Sequence, residues 1–224
     1  MLLIDAHIHT RGISHCSQRT AEALIAECVK DGLDGIVLTN HCKVDYFREE
    51  AYENWVKRYV EEFYKTREIG AANGIRVLFG IEVTLQEKRN IDYVIYGVTE
   101  ADILNSTPLY EMTHQELYDW CVERDALLYQ GHPYRNGAVP QNPAWLHGVE
   151  INCHPLYGTN EEKRVRAFAA EHDLKISCGS DFHGDTYKAH CGMLVPEWVE
   201  TGVDFANYLK QVDVCELVVH PLGK

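Results

Sequence analysis

The residues equipped for chemistry begin at the start of the chain. In Asp5-Ala-His7-Ile-His9-Thr10, two imidazoles lie two residues apart after a short apolar run. Side chains at that spacing on an extended backbone project the same way, so both rings can face one point. A single His-x-His carries little by itself. Here the spacing returns as Asp181-Phe-His183. Between the two pairs Asn40-His41, Glu82, His132 and His154 each stand at the end of another apolar run, and His15 sits in the first polar loop. Six neutral imidazoles and two carboxylates brought together from these strand ends would be poorly solvated, and divalent cations relieve that cost. Imidazole with carboxylate suits Zn, Mn, Fe or Ni. Glu82 and Asp181 are natural bridges between two ions. Ions roughly 3.5–4 Å apart can clamp a phosphoryl group and activate a water between them.

The elements that must position these groups follow from the apolar pattern. Strands are expected at 2–5, 35–39, 76–83, 93–98, 126–130, 148–152, 175–178 and 215–219, with helices at 21–31, 46–73, 113–124, 159–172 and 204–211. Thr20 reads as an N-cap, and Thr113 and Thr159 each open a capping box. No helix fits between the strands at 76–83 and 93–98. The alternation elsewhere argues for a parallel sheet, and this number of strands for a closed or nearly closed barrel forming a single domain over 1–224. In such barrels the functional residues lie at the C-terminal strand ends, where the candidates here fall. Trp55, Tyr59, Phe63 and Ile69 form a stripe that belongs to core packing.

Composition narrows the partners. The chain has 224 residues and a formal net charge of −13. So acidic a chain is repelled by phosphate backbones and anionic membranes, which argues against nucleic acid and membrane partners. No apolar run approaches the ~20 residues of a membrane span, and no basic segment precedes an apolar one at the start, so the cytoplasm is the expected compartment. Of eight cysteines none forms C-x-x-C; Cys28, Cys121 and Cys178 read as buried free thiols. Cys16, Cys42 and Cys153 each adjoin a histidine, but neighbours on a strand point apart.

Five segments carry a family resemblance: D-A-H-I-H-T at 5–10, L-T-N-H at 38–41, G-I-E at 80–82, G-H-P at 131–133 and G-S-D-F-H at 179–183. Together they resemble the four motifs of the PHP (polymerase and histidinol phosphatase) family, in family order. The short stand-alone members of the YcdX type are the most similar, because His15 stands where they carry a third-metal ligand. The resemblance implies an α/β fold, a distorted (β/α)7 barrel with two or three divalent metal ions (Mn, Zn or Fe) at its mouth, and phosphoester hydrolysis by a metal-activated water. It implies that His7, His9, Glu82 and Asp181 hold one metal, Glu82 and His132 a second, and His15, His41 and His183 a third. Asp181, His183 and Glu82 are then the catalytic residues.

Two departures stand out. Asn40 replaces the family's aspartate, and Thr99 stands where trinuclear members have a histidine, leaving water, substrate or His154 to complete the second position, or two metals in place of three. Arg135 and Arg11 are the candidate substrate contacts, with Lys43 and Lys188 also near motifs. His114, His147, His172, His190 and His220 read as ordinary. The expected substrate is a small phosphorylated molecule. A nuclease or proofreading activity and a non-catalytic metal-binding module are the alternatives. An amidohydrolase would add a metal-binding lysine and a longer chain.

Overall fold

The computed structural model describes residues 1–47, 50–154, 159–184 and 191–219, without the side chains of 159 and 160. Lys188, His190 and His220 lie outside the described residues. The elements in order are β1 (Leu2–Ile8), α1 (Ala21–Asp31), β2 (Gly35–Leu38), β3 (His41–Lys43), α2 (Tyr52–Ala72), β4 (Arg76–Thr84), β5 (Asp92–Tyr96), α3 (Glu100–Leu104), α4 (His114–Glu123), β6 (Leu127–Gln130), β7 (Gly148–Asn152), α5 (Thr159–His172), β8 (Lys175–Gly179), β9 (Gly192–Val195), α6 (Gly202–Gln211) and β10 (Glu216–Val218). Local chemistry sets their limits. Thr20 accepts from the N–H of Ala23 at the start of α1, which buries Leu24, Ile25 and Cys28, and Gly32 stops it in the left-handed region at φ 77°.

The sheet runs β10-β9-β1-β2-β4-β5-β6-β7-β8, with β3 pairing β4 beyond the end of β2. Past β8 the chain returns to β1. Phe182 bridges Ile8 in parallel, and the Asp181 N–H donates to the His7 carbonyl at 2.8 Å. The seven strands β1, β2, β4, β5, β6, β7 and β8 therefore make a nearly closed barrel, as the resemblance implies. β9 and β10 lie outside it, β9 pairing antiparallel with Leu2, Leu3 and Ile4.

The expectation of an all-parallel barrel is corrected at one strand. β5 runs antiparallel to both neighbours, with Thr84 opposite Asp92 and Gly80 opposite Tyr96. The cause is the short turn after β4, since a parallel return needs a crossover of a dozen or more residues. Asp92, at the start of β5, thus lies at the same barrel end as the C-termini of the parallel strands. Thr99, past its end, lies at the other. There Thr99 caps α3, a helix the apolar pattern did not suggest, through a capping box with Asp102. β3 and β9 were likewise unexpected, being too short to show a period. Residues 44–46 form a single 3-10 turn, so α2 starts at Tyr52 and not at residue 46. The expected cap at Thr159 falls on a side chain outside the described ones.

α2 covers the barrel with the predicted aromatic stripe. Trp55, Tyr59 and Phe63 are buried, and the Phe79 ring of β4 lies 5.7 Å from Tyr59 and 4.9 Å from Phe63. Tyr59 also donates its hydroxyl to the Gly80 carbonyl at 2.7 Å, which ties the helix to the strand that carries Glu82. Inside the barrel, Tyr96 donates to the Ala6 carbonyl at 3.1 Å and packs on Tyr129. Cys28, Cys121 and Cys178 are buried free thiols, while Cys153 and Cys191 are paired as a disulfide. Among the described residues no helix is long and apolar enough to cross a membrane.

Closure between β8 and β1 is tight. A Cβ on Gly179 would lie 2.4 Å from the Cβ of His7 and 2.6 Å from its backbone nitrogen. Gly179→Ala should therefore cost about 1–3 kcal/mol of stability, as overpacking does, because no flexible side-chain end is there to yield. An unchanged denaturant midpoint would contradict this account of the seam.

Candidate metal centre

At the barrel mouth, strand ends from both halves of the chain converge on Glu82, which is fully buried. His7 Nε2 lies 3.2 Å from Glu82 Oε1 and 3.5 Å from Asp181 Oδ1. His9 Nε2 lies 2.9 Å from Asp181 Oδ1 and 3.4 Å from Glu82 Oε2. His132 Nε2 is 3.3 Å from Glu82 Oε1 and 3.7 Å from Asp92 Oδ2. His41 Nδ1 is 2.5 Å from Glu82 Oε2, and its ring stacks on that of His9 at 4.5 Å. Among the described residues the donors around Glu82 include three overlapping groups: His7, His9, Glu82 and Asp181; Glu82, Asp92 and His132; and His9, His41 and His183, each with its ligand atoms within 4.8 Å of one another.

These residues fit divalent cations. His7 Nε2, His41 Nδ1 and Glu82 Oε2 are buried and lack hydrogen bonds of good geometry. Buried polar atoms are normally satisfied, so three orphans turned toward one space mark a place for an ion. The surrounding bonds fix the rings for that role. Glu150 Oε1 accepts from His7 Nδ1 at 2.8 Å, which turns Nε2 toward Glu82 and Asp181. Ser14 donates its hydroxyl to Asn40 Oδ1 at 2.8 Å, so its oxygen accepts from His9 Nδ1 at 3.1 Å, and His9 Nε2 is bare.

Asn40, the departure from the family aspartate, holds the first loop with a neutral amide. Its Oδ1 accepts from the Thr10 N–H at 2.8 Å, and its Nδ2 donates to Thr10 Oγ1 at 2.9 Å. Asp5 ties the first motif to the last: its carboxylate accepts from the backbone N–H groups of His7 and Ser180 and from the Ser180 hydroxyl. Burial pushes Asp5 up to about 7 in spite of those bonds. His132 and Asp181 adopt positive φ, 27° and 51°, a conformation that costs non-glycine residues energy and collects at functional sites.

Charge is shared across the mouth. Burial opposes ionisation of Glu82, but the imidazoles of His41 and His7 outweigh it and hold the carboxyl well below its usual range. Asp181 is held down in the same way, chiefly by Arg135 and His183 against its burial. In return, Glu82 raises His41 to about 10 although burial lowers it. His9 is lowered, by burial and then by His183 and His41.

The remaining candidates divide. Arg135 Nη1 reaches Asp181 Oδ2 at 2.5 Å. Arg11 is exposed and makes no described side-chain contact with the mouth. Lys43 lies over the Tyr46 ring. His15 is exposed and stacks on Tyr46, with ring centroids 4.7 Å apart, while its neighbour Cys16 places Sγ 3.1 Å from His183 Nε2. His154 is half-buried, and burial followed by Arg135 lowers it to about 4. His114 packs against Tyr93 and Trp145 away from the mouth, and His147 accepts from the Leu128 N–H. Asp92, Glu150, Ser14 and Cys16 are members of the site that the motifs do not name. Of these, Asp92 had a signal, the turn too short for a crossover.

A profile of the PHP domain matches residues 5–179. The chain belongs to the PHP domain family. No curated protein matches the sequence. Among crystal structures, the fold is similar to PsfC from Pseudomonas syringae PB-5123, with a TM-score of 0.71, 17% identity and coverage of 98% of this chain and 91% of that one. It is similar to a two-domain protein containing a predicted PHP-like metal-dependent phosphoesterase from Bacteroides vulgatus ATCC 8482, with a TM-score of 0.58, 18% identity and 81% of this chain covered. This chain spans about half of that protein, 52%. It is also similar to an amidohydrolase from Chromobacterium violaceum solved with sulfate and no metal, with a TM-score of 0.62, 14% identity and coverage of 87% and 92%. At these identities the likeness is one of fold.

Two outcomes test the centre. Glu150→Gln should weaken zinc binding about 10- to 100-fold, as loss of an orienting partner does, with the fold kept; a chelator competition assay reads it. Zinc binding should also release protons at neutral pH, because His41 holds its proton up to about 10 in the metal-free protein and a ligating nitrogen must be bare. Affinity should therefore rise with pH toward that value. Titration calorimetry in buffers of differing ionisation enthalpy that found no proton release would contradict the assignment.

Proposed function

We propose that this protein is a metal-dependent phosphoesterase acting on small-molecule phosphate esters. The observation that carries the reading is the sharing of Glu82 between two donor groups, one completed by His7, His9 and Asp181 and the other by His132 and Asp92. Adjacent positions joined by one carboxylate are what a pair of ions requires. Asp92 supplies the donor that Thr99, at the far end of β5, does not. When bound, the divalent ions supply Lewis acidity and a water acidified enough to ionise near neutral pH.

The chain's own residues do the rest. Asp181 faces His9 Nε2 with one oxygen, 2.9 Å away, and pairs with Arg135 at the other, so it is fixed in place to orient the attacking water. Arg135, from the loop after β6, presents a planar fork suited to phosphate oxygens. Beside His41 and Asp92, Lys43 and Arg89 line a cavity of about 130 Å³, which suits a small ligand and places two more cations near the mouth. The net charge of −13 disfavours a nucleic-acid substrate. The sulfate in the Chromobacterium structure is in keeping with a tetrahedral anion as ligand.

With Mn or Zn supplied, the protein should hydrolyse members of a panel of sugar, amino-alcohol and nucleoside phosphates. Asp181→Asn keeps the shape and loses the charge, so turnover should fall by orders of magnitude with folding preserved; near-parental activity would sink the mechanism. Arg135→Ala should raise KM more than it lowers kcat, since the guanidinium meets a phosphate oxygen equally in ground and transition states. Unchanged kinetics would make Arg135 a partner of Asp181 alone.

A further inference from the structure

The third donor group differs from the other two. His9, His41 and His183 contribute only imidazoles, and His9 already faces Asp181. His15 is turned to the surface against Tyr46. The loop after β1 is nevertheless pinned over this corner of the mouth. The Gln18 N–H donates to the His183 carbonyl at 2.6 Å, and the Ser17 hydroxyl donates to the His9 carbonyl at 3.2 Å. These two bonds pin the chain directly after Cys16, whose Sγ lies 3.1 Å from His183 Nε2 and 3.2 Å from the Tyr46 hydroxyl. The His41 ring lies 5.7 Å from that of His183 on the same side of the mouth.

We propose that Cys16 is a thiolate ligand of a cation held with His41 and His183, so that the third metal position of this protein is a mixed sulfur and nitrogen site. The inference rests on the reading of the mouth as a divalent-metal centre. Two further observations support it. His183 Nδ1 donates to the Asp181 carbonyl at 2.8 Å, a bond that fixes the tautomer with Nε2 bare and facing the sulfur. His41 is over nine-tenths buried, and it offers a ligand atom within 4.8 Å of those of His9 and His183. The Tyr46 hydroxyl is within reach to donate to a thiolate, as partners of ligating groups do.

The consequence is selectivity. Thiolate with imidazole favours Zn or other borderline-soft ions, whereas Mg and Mn prefer oxygen donors. The other two positions, built from imidazole and carboxylate, carry no such bias. The protein should therefore retain one zinc-type ion more firmly than the rest.

Cobalt(II) titration of the metal-free protein tests this directly. The parent should develop a near-ultraviolet thiolate-to-cobalt charge-transfer band, and X-ray absorption of the zinc form should show a sulfur at about 2.3 Å beside nitrogen and oxygen at about 2.0–2.1 Å. Cys16→Ser should lose the band and about one ion per chain by elemental analysis, while His15→Ala keeps both. Circular dichroism checks that each variant is folded. Cobalt binding by the parent with no charge-transfer band and no sulfur scatterer overturns the role of Cys16 and leaves the metal centre standing. Retention of the band in Cys16→Ser, or loss of an ion in His15→Ala alone, also overturns it. A parent that binds no cobalt or zinc at all removes both this inference and the reading of the mouth on which it rests.

Discussion

Everything at the mouth answers to one buried carboxylate. Glu82 has no exposure to solvent, yet His7, His9, His41 and His132 all approach its two oxygens within 3.4 Å. An isolated ionised carboxylate in such a place would cost many kcal/mol, so the fold must surround it with positive charge or with groups that bind it. Three strands or strand ends contribute those groups, and β4 sits among them with β2 and β3 on one side and β5 on the other. The barrel is the simplest scaffold that lets strands far apart in sequence end beside the same atom.

A second constraint holds the arrangement shut. The seam between β8 and β1 has few backbone bonds, and the Asp5 carboxylate compensates by gripping the Ser180 backbone and hydroxyl. The same carboxylate accepts from the His7 N–H. One side chain thus sets the distance between the first pair of ligands and the last, His7 and His9 against Asp181 and His183. The positive φ of Asp181 is the cost of turning that side chain back over the mouth directly after the seam.

The candidate ligands at strand ends were legible because chemistry and apolar runs coincide in the sequence. His7, His9, Glu82, His132 and Asp181 each follow or close a buried run, and the structure brings them together around the mouth. What was not legible depends on strand direction and loop path. Thr99 and Asp92 exchange significance once β5 is reversed, and only the shortness of the turn before it hints at the reversal. α3 buries a single side chain, Ile103, so no period announces it, and the three residues of β3 are too few for one. The placement of Cys16 above His183 follows from bonds to Gln18 and Ser17 that no spacing rule encodes.

Asn40 and Asp92 show how the departures from the family pattern at positions 40 and 99 are met. The aspartate usually found at position 40 would add a charge beside Thr10 and Ser14, both of which already have acceptors and donors matched by an amide. Asn40 keeps those bonds and leaves the mouth one negative charge poorer. Asp92 restores a carboxylate on the opposite side, next to His132, where a second ion would lack a donor. Negative charge is thus absent at position 40, in the His41 corner, and present at position 92, in the His132 corner. Arg135, paired with Asp181 between them, has a guanidinium with five N–H groups, of which Asp181 occupies only part. An acidic protein can in this way present an anion with cations that are few, fixed and already oriented, because the carboxylates that make the chain acidic are the ones that hold them.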